Sequence, residues 1–480
     1  MESERRQKFL KDFGIYTIGI IGMRMITFLM VPLYTYFIDK PSDYGYYDLC
    51  LSICMLLIPA STLQLREGAF RFLINNDDYN HQSIIISSIA KILIYNLVAL
   101  FSLFTVIVII QEYDIRYLWF CVALLLTMTI HEIMAQISRG LGDNKVYVAS
   151  NLINGTFIGI FSIVFVAVAG WGIAGIFLSN IISRVLAIGF IEYKLKIAKR
   201  IKFSVYSQET VRDILRYCLP LIPIALCWSF TVSSGRFFIK YYLSLEANGI
   251  YAVSMRFTMI LQTLSLIFYQ TWQETAISQF NSKDRDVFFS KVFYNFFYLM
   301  ALLLLAFSFF LKINYSWLVR DIYSESIKYV YPLCIAAMLN ALSSAYFELG
   351  YQCSKETSRA IPGIIMILIV NFISSVILTP KYGIFGVAYA SIFSYLCLVI
   401  YRFIDTRRYF HINHNSIIYL PLLLILISYL PFYLITSIWL DLLYITIVLL
   451  IMLYFAPKDI KKIVGTVLQK LSRQNDKLDN

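Results

Sequence analysis

Apolar runs of about twenty residues, divided by short polar stretches, follow one another along the whole chain. A helix needs ~20 such residues to cross a hydrocarbon core about 30 Å thick. Spans are predicted at approximately 13–37, 46–70, 84–110, 117–138, 147–169, 173–193, 214–239, 249–276, 290–311, 329–350, 360–379, 385–404, 416–438 and 440–456. The runs are continuous rather than alternating, which excludes an outer-membrane barrel. The pattern therefore predicts an all-α polytopic membrane protein with about 14 transmembrane helices.

Composition agrees with that class. The 480 residues are 59% hydrophobic and only 15% charged, too few charges to clothe a soluble domain of this size. The net charge of +12 would point a soluble protein towards nucleic acid. Here it follows from Lys and Arg gathering in cytoplasmic loops, and no nucleic-acid partner is expected. If Arg5, Arg6, Lys8 and Lys11 lie inside, most of the 41 basic residues fall in inner loops and tails. Both termini are then expected to be cytoplasmic. The eight cysteines form no CxxC pair, so neither disulfide nor structural zinc is expected.

The two halves echo each other. Gly45-Tyr46-Tyr47 ahead of the second span returns as Gly249-Ile250-Tyr251 ahead of the eighth. Gly172-Ile173-Ala174-Gly175 ahead of the sixth returns as Gly383-Ile384-Phe385-Gly386 ahead of the twelfth, at nearly the same spacing. Duplication of a six-span unit accounts for both, with a pseudo-twofold axis along the membrane normal. The expected divisions are an N-terminal lobe over 1–193, a basic linker over 194–212 and a C-terminal lobe over 213–404. Two further helices occupy 405–457, and a basic tail follows over 458–480. Apolar residues in that tail are spaced as on an amphipathic helix, which suits either the inner membrane face or a solvated segment.

Charge inside the apolar runs points to chemistry. A guanidinium keeps its proton, and at mid-bilayer it costs roughly 2.5–3.5 kcal/mol even on lenient scales. Arg24, Arg66, Arg184 and Arg256 all stand in apolar runs. They are expected either to line an electropositive, water-filled cavity that takes an anion or to form internal ion pairs. Arg71, Arg216 and Arg236, nearer the span ends, are explained by snorkelling. Glu132 and Glu348 are candidates for coupling to a sodium or proton gradient, although placement at the inner interface explains them equally well. No nucleotide-binding, zinc-protease or nucleophile motif is present in the sequence, and no cofactor or enzymatic activity is expected.

Several motifs together carry a resemblance. A basic lead-in precedes the first span, and Asp43-Tyr44-Gly45-Tyr46-Tyr47 precedes the second, which Arg71-Phe72 closes. Tyr382-Gly383-Ile384-Phe385-Gly386 stands before the twelfth. With the overall plan of spans, these make the chain resemble the O-antigen and capsule repeat-unit flippases of the multidrug/oligosaccharidyl-lipid/polysaccharide (MOP) superfamily. The resemblance implies two pseudo-symmetric six-helix lobes of the MATE type plus two C-terminal helices, in a bacterial inner membrane. It implies alternating-access transfer of an undecaprenyl-diphosphate-linked oligosaccharide to the outer leaflet, with cavity arginines on the anionic headgroup. Partners would be that lipid-linked substrate, membrane lipids and other polysaccharide-assembly membrane proteins. The competing readings are a lipid II flippase, a drug or cation antiporter, which would favour buried acids, and a polymerase or ligase, which would carry a large outer loop.

Overall fold

A computed structural model describes residues 26, 28–74, 78–111, 118–202, 206–354 and 356–461; for 103–111, 274 and 357 it describes the backbone alone. Among these residues there is no strand, and thirteen helices are long and apolar enough to cross a membrane. Helices suit that setting because each satisfies its own backbone polar groups where no water can. The first predicted span is described only in its latter part, as a shorter apolar helix, α1 (Phe28–Phe37). Arg24 and the amphipathic tail beyond 461 lie outside the described residues.

The chain packs as two units, 1–256 and 257–480. The basic stretch 194–212 lies inside the first. That unit holds α2 (Pro41–Ser61), α3 (Leu65–Leu73), α4 (Tyr79–Gln111), α5 (Leu118–Gly140) and α6 (Asn144–Ser162). It continues through α7 (Gly172–Leu195), the short α8 (Ile197–Arg200), α9 (Gln208–Cys218) and α10 (Leu221–Tyr242). The first turns of α11 (Leu245–Gln279) complete it.

The span predicted over 46–70 is broken. Pro59 sits near the end of α2, and Leu63 and Gln64 then take left-handed backbone angles, φ 47° and 55°. Such angles are strained for residues with a Cβ. The carbonyls freed by the break are not abandoned: the Asn96 side chain donates to Ala60 O and Ser61 O at 2.9 and 2.8 Å. After the turn, Leu65, Ala69 and Leu73 of α3 enter a core with Ile85 and Ile89 of α4, Ile133 and Ile137 of α5, and Ile214 of α9. The apolar pattern thins here, through Ser61, Thr62, Gln64, Arg66 and Glu67, and the predicted span runs across it.

In the second unit, α12 (Arg285–Leu318) and the run from α13 (Ile327–Ala341) through a π-helical turn to α14 (Glu348–Cys353) form the centre. Around them lie α15 (Ile361–Tyr382), α16 (Ile384–Asp405), α17 (Tyr419–Leu434) and α18 (Ile438–Phe455). The central run is 78% buried and α18 only 22%, so the last helices are peripheral. Lys312 of α12 holds them by donating to Asp441 Oδ1 at 2.7 Å and Ile435 O at 2.6 Å.

The repeated glycine motifs do the same work in each unit. Gly172 and Gly383 both open a helix at positive φ, 51° and 59°, which glycine adopts without steric cost. Three residues on, a Cβ on Gly175 would press on the Phe165 carbonyl, and one on Gly386 would overlap the Leu378 carbonyl. Each motif thus makes a turn and then a close helix pair, α6 with α7 and α15 with α16.

Candidate functional site

The site grows from the start of α2. Pro41 at the first helical turn fixes the entry, and helical spacing puts Tyr44, Tyr47 and Asp48 on neighbouring positions of one face. All three are buried; Asp48 is 2% exposed. Its partners come from two later helices. Arg236 of α10 donates from Nε to Asp48 Oδ2 at 2.7 Å, and Arg256 Nη2 of α11 lies 3.9 Å from Asp48 Oδ1.

That meeting depends on the other repeated motif. A Cβ on Gly45 would overlap the Leu245 carbonyl, and one on Gly249 would overlap the Pro41 carbonyl. The two Gly-Tyr motifs therefore face each other reciprocally. Asn248 fastens the contact by donating to Gly45 O at 2.7 Å. With both glycines bare, α2 and α11 approach closely enough for Arg256 to reach the carboxylate of Asp48.

Aromatic side chains wall the charges. Tyr34, Tyr44 and Tyr47 succeed one another with centroids 5.9 and 6.3 Å apart, and Tyr47 meets Phe177 edge-on at 5.2 Å. Tyr34 shares a hydrogen bond with Ser162 Oγ at 2.8 Å, and the Tyr44 hydroxyl meets the Arg256 guanidinium. Arg256 and Arg184 of α7 both place their fields on Tyr47. Tyr47 thus lies within the fields of both cations and of Asp48.

Arg184 differs from the other two. Its Nη1 donates to Asn180 O at 2.8 Å and Asn180 Oδ1 at 3.1 Å, and among the described residues no carboxylate is paired with it. It is half-buried. A guanidinium has five N–H donors, so most of its capacity stays unused. Two guanidiniums, Arg236 and Arg256, thus face the one carboxylate of Asp48, and Arg184 feels the charge of Glu132 without pairing closely with it. Beside them His131 is buried, feels the Arg184 charge and has an unpartnered Nε2.

The remaining sequence candidates lie elsewhere. Arg66, carried by α3, donates to Glu132 Oε2 at 3.1 Å and lies 3.5 Å from Glu67 Oε1. Arg66 and Glu67 are adjacent on α3 and point about 100° apart, yet the long arginine side chain reaches both acids. Glu348, in the second unit, accepts from Arg402 Nη1 at 3.0 Å, and Arg402 also donates to Ser343 O. The structure thus brings Arg184 and Arg256 together and places Arg66 with Glu132 in a separate pair. Sequence reasoning missed Asp48, and it explained Arg236 by its position near a span end. An acid in an otherwise apolar run was the available signal. Among the described residues, no cluster of His, Cys, Asp and Glu is placed to hold a metal ion.

The sequence model of a family described as "Polysaccharide biosynthesis protein" matches residues 9–273, a stretch that contains the whole arginine site. The chain belongs to that family. No curated protein matches the sequence significantly. Among solved structures, the chain is similar to "Lipid II flippase MurJ, inward closed conformation" at 16% identity. That match covers 94% of this chain and 99% of the other, with a TM-score of 0.70. An inward-facing multidrug resistance MATE family transporter of the MOP superfamily matches at 13% identity. It covers 82% of this chain and 98% of its own, with a TM-score of 0.63. The outward-facing structure of such a transporter matches at 17% identity, with 83% and 95% coverage and a TM-score of 0.52. This member of the polysaccharide biosynthesis family is thus a multi-pass membrane protein whose fold is similar to those of the MurJ and MATE structures.

Proposed function

We propose that the protein is a flippase that carries a lipid-linked oligosaccharide with a diphosphate headgroup to the outer leaflet of the cytoplasmic membrane. The observation behind this is the excess of guanidinium over carboxylate around Tyr47. Arginine offers phosphate oxygens a fixed charge and a planar fork of donors. Arg184 supplies the open donors, and Arg256, held only loosely by Asp48, supplies a second cation. Arg24, by its place in the first span, is a third candidate. The sugar headgroup would travel with the diphosphate through an interior path by alternating access, while the lipid tail stays among the helices.

The same chemistry counts against a drug or cation antiporter, because the buried acid of the site already holds two arginines. Lipid II is the second reading, favoured by the fold shared with MurJ over nearly the whole chain; it too presents a lipid diphosphate. Gradient coupling would run through carboxylates. Protonation of Glu132 or Glu348 would release Arg66 or Arg402, and that release is a means of linking a proton to a change of state.

The test is complementation of a strain lacking the protein. Lipid-linked oligosaccharide should accumulate on the inner leaflet and surface glycan should fall, with rescue by wild type and not by Arg184→Gln. Normal surface glycan in a deletion strain that has no other flippase would overturn the proposal.

A further inference from the structure

A second cationic place lies wholly within the first unit, away from the residues around Tyr47. A cavity of about 960 Å³ opens between α4 and α9. Lys91, Arg212 and Arg216 contribute to its lining, and among the described residues no carboxylate does. Much of the remainder is apolar, including Ile92, Leu215 and Leu219.

The helix that forms one wall is sorted by charge. Gln208, Val211, Arg212, Leu215 and Arg216 of α9 line the cavity at helical spacing, whereas Glu209 and Asp213 of the same helix do not. One face of α9 therefore gives its cations to the cavity, and the acids fall on another. Its buried positions, Ile214 and Cys218, anchor the helix in the core of the unit. The opposite wall offers a sharper anomaly. Lys91 rises from an apolar membrane-length helix, and among the described residues no carboxylate is paired with it. Its ammonium rests 3.3 Å from the centroid of the Tyr206 ring. An ammonium within an apolar helix is costly without a counter-charge, and a cation–π contact supplies only part of one.

We infer that this cavity binds an anionic glycerophospholipid of the surrounding membrane, its phosphate on Lys91, Arg212 and Arg216 and its acyl chains along Ile92, Leu215 and Leu219. Charge complementarity selects the occupant: three cations without an acid answer a phosphate, and the apolar lining answers hydrocarbon. Basic clusters where helices meet the membrane surface attract anionic lipid through the same field. The site is separate from the arginine cluster, so it stands or falls independently of the transport reading.

Native mass spectrometry of the full-length purified protein tests this with phosphatidylglycerol and phosphatidylcholine as probes. Wild type should retain phosphatidylglycerol in preference. The triple variant Lys91→Gln/Arg212→Gln/Arg216→Gln should lose about tenfold or more of that preference, with phosphatidylcholine unchanged. The single Arg212→Gln, at an exposed position, keeps the test open if the triple variant folds poorly; it should weaken retention at least about twofold. Glu209→Gln should leave retention unchanged. Equal retention by wild type and Arg212→Gln would overturn the inference. So would displacement of phosphatidylglycerol by millimolar inorganic phosphate, which would mark a site for free anions.

Discussion

Buried charge is handled differently in the two units. In the second, each buried or half-buried cation among the described residues has a carboxylate: Arg402 with Glu348 at 3.0 Å, Lys312 with Asp441 at 2.7 Å and Arg285 with Asp286 at 2.8 Å. In the first, Arg66 is paired with Glu132 and Glu67, but Arg236 and Arg256 share the single carboxylate of Asp48, which only Arg236 holds closely, and Arg184 is in no ion pair among the described residues. One-to-one pairing closes a site, since every charge is satisfied within the protein and none is left for a ligand. An excess of one sign opens it. Binding an anion then relieves a burial cost that the fold already bears.

Four substitutions test this contrast when stability is read by thermal melting of the purified protein. The largest effect is expected for Asp48→Asn, which leaves Arg236 and Arg256 without their acid. Removing one member of a buried pair costs about 3–5 kcal/mol. Next comes Arg402→Leu, which strands Glu348. That carboxylate is 36% exposed and water recovers part of the loss, so about 2–4 kcal/mol is expected. A smaller cost, about 1–3 kcal/mol, is expected for Gly249→Ala, whose methyl must push α2 and α11 apart. Because the Asp48 cluster depends on that approach, Gly249→Ala should also impair transport. The smallest effect belongs to Arg184→Gln, at less than about 1 kcal/mol, since no ion pair is lost. Were Arg184→Gln as destabilising as Arg402→Leu, the contrast between closed and open sites would collapse.

The fold class was legible because a bilayer imposes a length and an apolar character that are written directly into the runs. The glycine motifs were legible as a repeat, and their purposes became visible only in three dimensions. Gly172 and Gly383 turn the chain, whereas Gly45 and Gly249 let two helices touch. The break at Leu63 and Gln64 was hidden because neither residue is glycine and the compensation comes from Asn96, far along the chain. Arg184 and Arg256 stood out as charges in apolar runs. Asp48 carried the same signal, an acid in an apolar run, but close enough to the span start to pass for an interfacial residue. Ion pairing is a tertiary property: nothing local in the sequence assigns Glu132 to Arg66 or Asp48 to Arg236.

On this reading the guanidinium of Arg184, which is in no ion pair among the described residues, receives the diphosphate. This is tested most directly by the affinity of the purified protein for undecaprenyl diphosphate, wild type against Arg184→Gln. The variant should bind more weakly by about tenfold or more, as for loss of a charge-assisted contact, with melting temperature essentially unchanged. Equal affinity in two equally stable proteins would contradict this reading.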